Sequence, residues 1–305
     1  MAGVDLASPE LLRTRDRLRT RFGAVVEPWW GRLPAALAEL GDRWGLDLED
    51  PVGRGNTSLV VRCRRNDGRR AILKLTPETV LAREEAFALR RFESSSRTPL
   101  VCADDPAIGA LLLEEIPGAV PLAETPREIH TSEISALIAA LHGVGADGAG
   151  GQVTTLASRV EFLFELWIRR RAANDDASRL VSVARLERGR ERASALAGDG
   201  GTQVLLHGDL HPANVLDGGS TRGLVAIDPR PCVGDAPFDV IDWVFWGTHE
   251  RGAWEARAQA IASTLDLHAE RCWEWCRAIA PILATSAAGR SEPAAAVEAL
   301  LDLAR

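Results

Sequence analysis

The chain has 305 residues, of which 46% are hydrophobic and 26% charged. That is an ordinary globular composition, with enough length for one large domain or two lobes. A formal charge of −7 argues against nucleic acid as a partner, because phosphate contact needs a basic face. No apolar run approaches the ~18 residues of a membrane span, and Met1 to Glu10 carries no basic-then-apolar leader pattern. The expectation is a cytoplasmic protein, by default a monomer.

In chain order, Leu33, Ala36, Leu37, Leu40 and Trp44 recur at helical spacing and predict an amphipathic first helix. The turn-rich run Pro51–Ser58 leads into a strand at Leu59–Cys63. Asn66-Asp67-Gly68 is a hairpin signal, and the return strand is Ala71–Leu75. A helix is expected over Val80–Phe92 and a short strand over Ala110–Glu114, ended by Pro117-Gly118. Helices follow at Ile134–Leu141, Val160–Ala172 and Ala177–Leu196. Val204–His207 reads as a strand running into a polar loop. Val215-Leu216 and Leu224–Ile227 form a second hairpin around Gly218-Gly219, and Phe238–Arg305 is helical throughout. The predicted fold is α+β and bilobal. An N-terminal helical segment covers residues 1–48, a small β-rich nucleotide-binding lobe 49–116, and a larger, mainly helical lobe 117–305.

Five cysteines, Cys63, Cys102, Cys232, Cys272 and Cys276, form no paired CxxC sets, so neither a disulfide framework nor a zinc site is indicated. Cys272 and Cys276 share a helix face and read as buried, reduced thiols. Tyrosine is absent and tryptophan is the commonest aromatic; core burial is the ordinary use of such rings.

One compositional fact is sharper. Lysine and arginine total 36, yet Lys74 is the single lysine. A lone ammonium inside an apolar strand asks for a chemical reason. The run His207-Gly208-Asp209-Leu210-His211-Pro212-Ala213-Asn214, followed by a short hairpin and Ala226-Ile227-Asp228-Pro229, supplies one. Phosphoryl transfer needs a carboxylate beside the attacking hydroxyl, oxygen ligands for Mg²⁺, and a cation on the donor phosphates. Asp209 suits the first role. Asn214 and Asp228, hard oxygen donors, suit the second. The five-residue step from Asp209 to Asn214 matches the kinase catalytic loop. Lys74 then suits the third role, with a partner on the following helix. Glu85 shares the helix face of Leu81, Leu89 and Phe92 and is preferred over Glu84. Gly53-Arg54-Gly55-Asn56-Thr57-Ser58 is a candidate phosphate lid, in which Gly55 and Ser58 would approach the phosphates. It lacks the GK[ST] ending of a P-loop.

These motifs resemble the aminoglycoside phosphotransferase superfamily, a branch of the kinase-like fold, and within it the streptomycin 6-kinase and hydroxyurea phosphotransferase group. The residues carrying the likeness are Trp44 after the Leu33-Pro34 helix, the run Leu205–Leu216, and the run Ala226–Asp239. The resemblance implies Asp209 as catalytic base, Asn214 and Asp228 as Mg²⁺ ligands, and Lys74 with a glutamate on the phosphates of ATP. It also implies that Leu112–Gly118 is the hinge, where the backbone C=O of Glu114 and N–H of Ile116 would bond adenine. Asp235 and Asp239 occupy the family's GDxxxD positions and are expected to organise loops through Asx-type bonds to nearby backbone. His207 and His211 are expected to brace the loop. Arg230, two residues after Asp228, would touch the γ-phosphate or pair with an acid.

The expected activity is therefore ATP- and Mg-dependent transfer of phosphate to a hydroxyl of a small molecule, an aminoglycoside-type or related antibiotic. Asp242, Glu250, Glu270 and Glu274 are candidates to face a cationic acceptor. The alternatives are a metabolic kinase of the same fold, acting on an amino alcohol, sugar or nucleoside, and a non-catalytic nucleotide-binding pseudokinase.

Overall fold

The computed structural model describes residues 4–52, 57–125 and 127–304. The chain divides into two compact units. One spans Met1–Glu93 and Thr98–Gly118, the other Ser94–Arg97 and Ala119–Arg305.

The first unit is a five-stranded antiparallel sheet between helices. Two helices open it, α1 (Pro9–Phe22) and α2 (Val26–Trp44). Ser8 caps α1 through its hydroxyl, and Gly45 at φ 62° ends α2 with its N–H on the Gly41 carbonyl. The strands β1 (Leu46–Pro51), β2 (Leu59–Arg65) and β3 (Arg70–Leu75) follow, then α3 (Thr79–Phe92), β4 (Val101–Asp105) and β5 (Ala110–Glu114). The sheet order is β1-β2-β3-β5-β4.

Alternation along β3 sorts its side chains between two layers. Ala71, Leu73 and Leu75 join Leu59, Val61 and Cys63 of β2 in one core with Leu11, Leu18, Trp29, Trp30, Leu33 and Leu37 of α1 and α2. Ile72 faces the other way, toward Ala82, Ala86 and Leu89 of α3 and Leu111 and Leu113 of β5. Lys74 has the parity of Ile72, and so belongs on the α3 side.

The second unit begins with β6 (Val120–Pro121), α4 (Thr131–His142), β7 (Thr154–Thr155) and α5 (Leu156–Ala172). It continues through α6 (Asp175–Leu180), α7 (Val183–Gly198), β8 (Gln203–Leu206), β9 (Val215–Asp217), α8 (Gly219–Arg222), β10 (Leu224–Ala226) and β11 (Cys232–Asp235). The last helices are α9 (Ile241–Phe245), α10 (Arg251–Leu265), α11 (Ala269–Gly289) and α12 (Ala294–Leu303). Two three-stranded sheets, β10-β9-β6 and β7-β11-β8, carry the loops described below. Trp243, Trp254 and Trp275 are fully buried, as are Cys272 and Cys276 on α11. Burial pushes the Cys272 thiol up to about 12, which keeps it protonated and unreactive.

The structure adds to or departs from the sequence expectations in several places. A helix precedes the predicted first one. Two strands, β1 and β4, lie where the sequence pattern carries no expectation. Another, β11, lies in the run read as loop. The stretch Ala177–Leu196 is two helices: Val181 is extended at φ −116° and ψ 118°, and Ser182 begins α7. The Arg171 side chain binds the Ser178 and Val181 carbonyls at that break. No helix among the described residues is long and apolar enough to cross a membrane.

Candidate active site

In the first unit, β3 and α3 bring the only lysine against a glutamate. Lys74 Nζ lies 2.5 Å from Glu85 Oε1, with both side chains almost entirely buried. A charge taken out of water needs a partner of opposite sign, and each side chain supplies it to the other. Glu84 is only partly buried. Ser58 is buried directly ahead of β2, whereas Gly55 lies outside the described residues. Glu114 ends β5 opposite Ala71. Its N–H donates to the Leu100 carbonyl at 2.9 Å, and its carboxylate accepts from Leu100 N–H at 3.2 Å. Ile116 is buried just beyond.

In the second unit, β8 delivers the chain into the loop 207–211. A 3₁₀ turn at Pro212–Asn214 then leads into β9. The loop is suspended from a buried carboxylate. Asp239, on a 3₁₀ segment at Ala236–Val240, accepts from His207 N–H at 2.8 Å and from Gly208 N–H at 2.9 Å. His142 Nε2, at the end of α4, meets the same carboxylate at 3.1 Å. Burial alone would raise the Asp239 pKa. The His142 contact and the Gly208 N–H outweigh it and hold the carboxyl below its usual range. Asp239 thus grips the backbone of a loop about thirty residues upstream, beyond the nearby backbone expected from its spacing.

His207 is fully buried, and its Nε2 donates to the Ile227 carbonyl at 3.0 Å. Burial lowers its pKa, so the ring is a neutral brace. The Arg230 N–H donates to the His207 carbonyl at 2.8 Å. Gly208 stands at φ 75°, and a Cβ there would lie 2.0 Å from the Arg230 carbonyl oxygen. Only glycine fits that position.

The loop's polar side chains converge. Asn214 Nδ2 donates to the Asp209 carbonyl at 3.0 Å and to Asp209 Oδ2 at 3.1 Å. The amide nitrogen is thereby committed to the loop, and Oδ1 is the amide's remaining acceptor. The β9–β10 hairpin pairs Val215 with Ala226, and Ile227 N–H donates to the Asn214 carbonyl at 2.8 Å. Asp228 follows at once, so the hairpin register returns this residue to the end where Asn214 leaves. Asp228 has φ 58°. A non-glycine residue in the left-handed region costs on the order of 1 kcal/mol and persists where surrounding structure holds it, which is common at functional sites.

Three more side chains lie near this loop, and two of them, His142 and Arg159, carry no local sequence signal. Arg159 stands on α5; its Nη2 donates to the Gly208 carbonyl at 3.3 Å and lies 3.7 Å from Asp209 Oδ1. The third is Asp242, partly buried at the start of α9, whose burial raises its pKa to about 6. His211 and Arg290 oppose that rise, and Asp209 and Asp239 add to it. Of the other acids expected on the acceptor side, Glu274 pairs with Arg277 at 3.4 Å. Glu250 and Glu270 sit at the N-termini of α10 and α11, where a carboxylate complements the helix dipole. Asp235 makes no Asx turn. It accepts from Trp275 Nε1 at 2.6 Å and pairs with Arg271, tying β11 to α11.

The family model for aminoglycoside/hydroxyurea antibiotic-resistance kinases matches residues 43–291. The chain belongs to that family. It is 35% identical over 231 residues to a streptomycin 6-kinase of Streptomyces griseus, covering 72% of this chain and 68% of that one. It is 31% identical over 267 residues to a hydroxyurea phosphotransferase of Kitasatospora aureofaciens, covering 83% and 72%. Among solved structures, the macrolide 2'-phosphotransferase of Brachybacterium faecium superposes with a TM-score of 0.54 at 21% identity, over 88% of this chain and 96% of the other. The fold is therefore kinase-like, and the family membership makes the protein a small-molecule kinase.

Proposed function

We propose that the protein is an ATP- and Mg-dependent O-phosphotransferase acting on a hydroxyl of a polar small molecule, with an aminoglycoside-type or related antibiotic as the favoured acceptor. The observation that carries this reading is the loop geometry: one carboxylate, Asp209, held by Asn214, with Asp228 returned to the same hairpin end. Bound Mg·ATP would supply the electrophilic phosphoryl group and neutralise charge on it. Asn214 Oδ1 and the Asp228 carboxylate fit Mg²⁺, which takes few protein ligands and completes its shell with phosphate oxygens and water. Lys74, with Glu85 behind it, would hold donor phosphates. Glu114 and Ile116 would present backbone groups to adenine, and Gly55 and Ser58 would lie over the phosphates.

Asp209 would accept a hydrogen bond from the acceptor hydroxyl and orient its oxygen for in-line attack, then take up the proton as the new O–P bond forms and the bond from the γ-phosphorus to the β-phosphate oxygen breaks, with ADP as the leaving group. Positioning dominates catalysis in such reactions, and the Asp239 suspension supplies it. Asp242, beside Asp209 in the charge pattern, would meet an amino or guanidino group of the acceptor.

The test is incubation with Mg·ATP and a panel of streptomycin, other aminoglycosides, hydroxyurea, macrolides, choline and simple sugars, read by mass spectrometry for one added phosphate. Phosphorylation of an antibiotic is expected, with Asp209→Ala losing about 10³-fold or more in kcat while still binding Mg·ATP. Wild-type turnover by Asp209→Ala would overturn the assignment. Phosphorylation of choline or a sugar alone would move the protein to a metabolic role.

A further inference from the structure

The sheet β7-β11-β8 places the first turn of α5 beside the loop that follows β8. Cys232 of β11 pairs with Thr154 on one side and with Leu206 on the other. Gly234 lets the two layers touch: a Cβ there would lie 2.2 Å from Leu156 Cβ. Thr155 caps α5 through its hydroxyl on Ser158 N–H at 3.2 Å, which fixes the direction in which Arg159 leaves the helix.

The Arg159 side chain is 11% exposed, and its guanidinium lies 5.8 Å from the Phe162 ring centroid. Burying a guanidinium costs several kcal/mol unless it is paired, and Arg159 reaches two consecutive residues of the loop. Nη2 donates to the Gly208 carbonyl at 3.3 Å and stands 3.7 Å from Asp209 Oδ1. The other carboxylate oxygen, Oδ2, accepts from Asn214 Nδ2 at 3.1 Å. One oxygen of Asp209 therefore faces the Arg159 guanidinium and the other the Asn214 amide, with His211 Nε2 3.9 Å from the second. The run His207–Asn214 itself contains no lysine or arginine, so this positive charge reaches the loop from outside.

We infer that Arg159 is a positioning residue for phosphoryl transfer: its guanidinium, with the Asn214 amide, sets the rotation of the Asp209 carboxylate that receives the acceptor hydroxyl. The inference rests on Asp209 being the acceptor-orienting carboxylate. Arginine suits the task better than lysine, because its planar fork reaches the Gly208 carbonyl and the carboxylate together. A carboxylate released to rotate would misplace its accepting oxygen, and displacement of about 1 Å costs on the order of 10²-fold in rate.

The experiment compares Arg159→Ala, Arg159→Lys, Arg159→Gln, Asp209→Ala and the Arg159→Ala/Asp209→Ala pair. Turnover is measured with streptomycin or the panel member found to be phosphorylated, affinity for Mg·ADP by calorimetry, and folding by thermal unfolding. Arg159→Ala is expected to lower kcat about 10²-fold with Mg·ADP affinity unchanged within about twofold. Arg159→Lys should recover part of the loss and Arg159→Gln less. Guanidinium ion at millimolar, non-denaturing concentration should rescue Arg159→Ala. In the Asp209→Ala background, removing Arg159 should cost less than about threefold, since residues that act as a unit are non-additive. An equal fold loss in both backgrounds, or full turnover by Arg159→Gln, overturns the inference. If Asp209→Ala turns over normally, the reading of Asp209 itself fails; if Asp209→Ala is inactive and Arg159→Gln is not, only the role of Arg159 does. Should Arg159→Ala unfold, Arg159→Lys and Arg159→Gln carry the comparison.

Discussion

Asp242→Asn should make the protein more stable at neutral pH and less able to bind a cationic acceptor. Asp242 is partly buried on α9 and its pKa is raised from 3.8 to about 6, with burial the largest cause. Between those values the folded state binds more protons than the unfolded chain, so stability falls as pH rises through the window from about 4 to about 6. A shift of 2.2 units, 6 less 3.8, corresponds to at most about 3 kcal/mol. Partial solvent contact reduces this, and we expect about 1.5 kcal/mol. For a unit of this size that is a rise of roughly 3–6 °C in Tm. Thermal unfolding of wild type and Asp242→Asn, without nucleotide, should superpose near pH 4 and separate progressively up to pH 7. A gap independent of pH, or a variant less stable at pH 7.5, would refute the reasoning. The expected loss of acceptor affinity alongside the gain in stability is the ordinary cost of keeping a charge where function needs it.

Two further outcomes follow from the packing. Lys74→Met leaves the Glu85 carboxylate buried without its ammonium and should destabilise by about 3–5 kcal/mol. The Lys74→Met/Glu85→Met pair should recover most of that stability with no recovery of turnover; chemical denaturation and a kinase assay separate the two readouts. Gly208→Ala drives a methyl into the Arg230 carbonyl and should lower kcat by about 10²-fold or more, with a reduced Tm. Near-normal activity would mean the loop is not held as described.

Much of this architecture is legible from local pattern. Asn66-Asp67-Gly68 announces the β2–β3 hairpin, and strict alternation along β3 places Lys74 on the α3 side. The helix phase of Leu81, Leu89 and Phe92 selects Glu85, and the pair is found in contact. The β9–β10 hairpin, read from its glycines and flanking apolar residues, is what brings Asp228 back toward Asn214. The parts that escape are those with weak or distant signals. In α1 the buried stripe is only Leu11, Thr14 and Leu18 among five arginines, too sparse to stand out as a period. The break between α6 and α7 depends on Arg171 binding carbonyls from α5. His142 and Arg159 reach the loop from 97 residues before Asp239 and 49 before Gly208, separations at which one sequence holds no record of contact. The strand β11 is masked by its short length and by Gly234.

The suspension of the loop from Asp239 has a consequence for how such a protein can diversify. The grip is on main-chain N–H groups, which every residue but proline offers. Side chains at the rim of the loop and along α9 and α10 are consequently exempt from holding the chemistry in place. Under the proposed function, new acceptors would be accommodated by exchanging them, while the grip of Asp239 on the loop stays as it is.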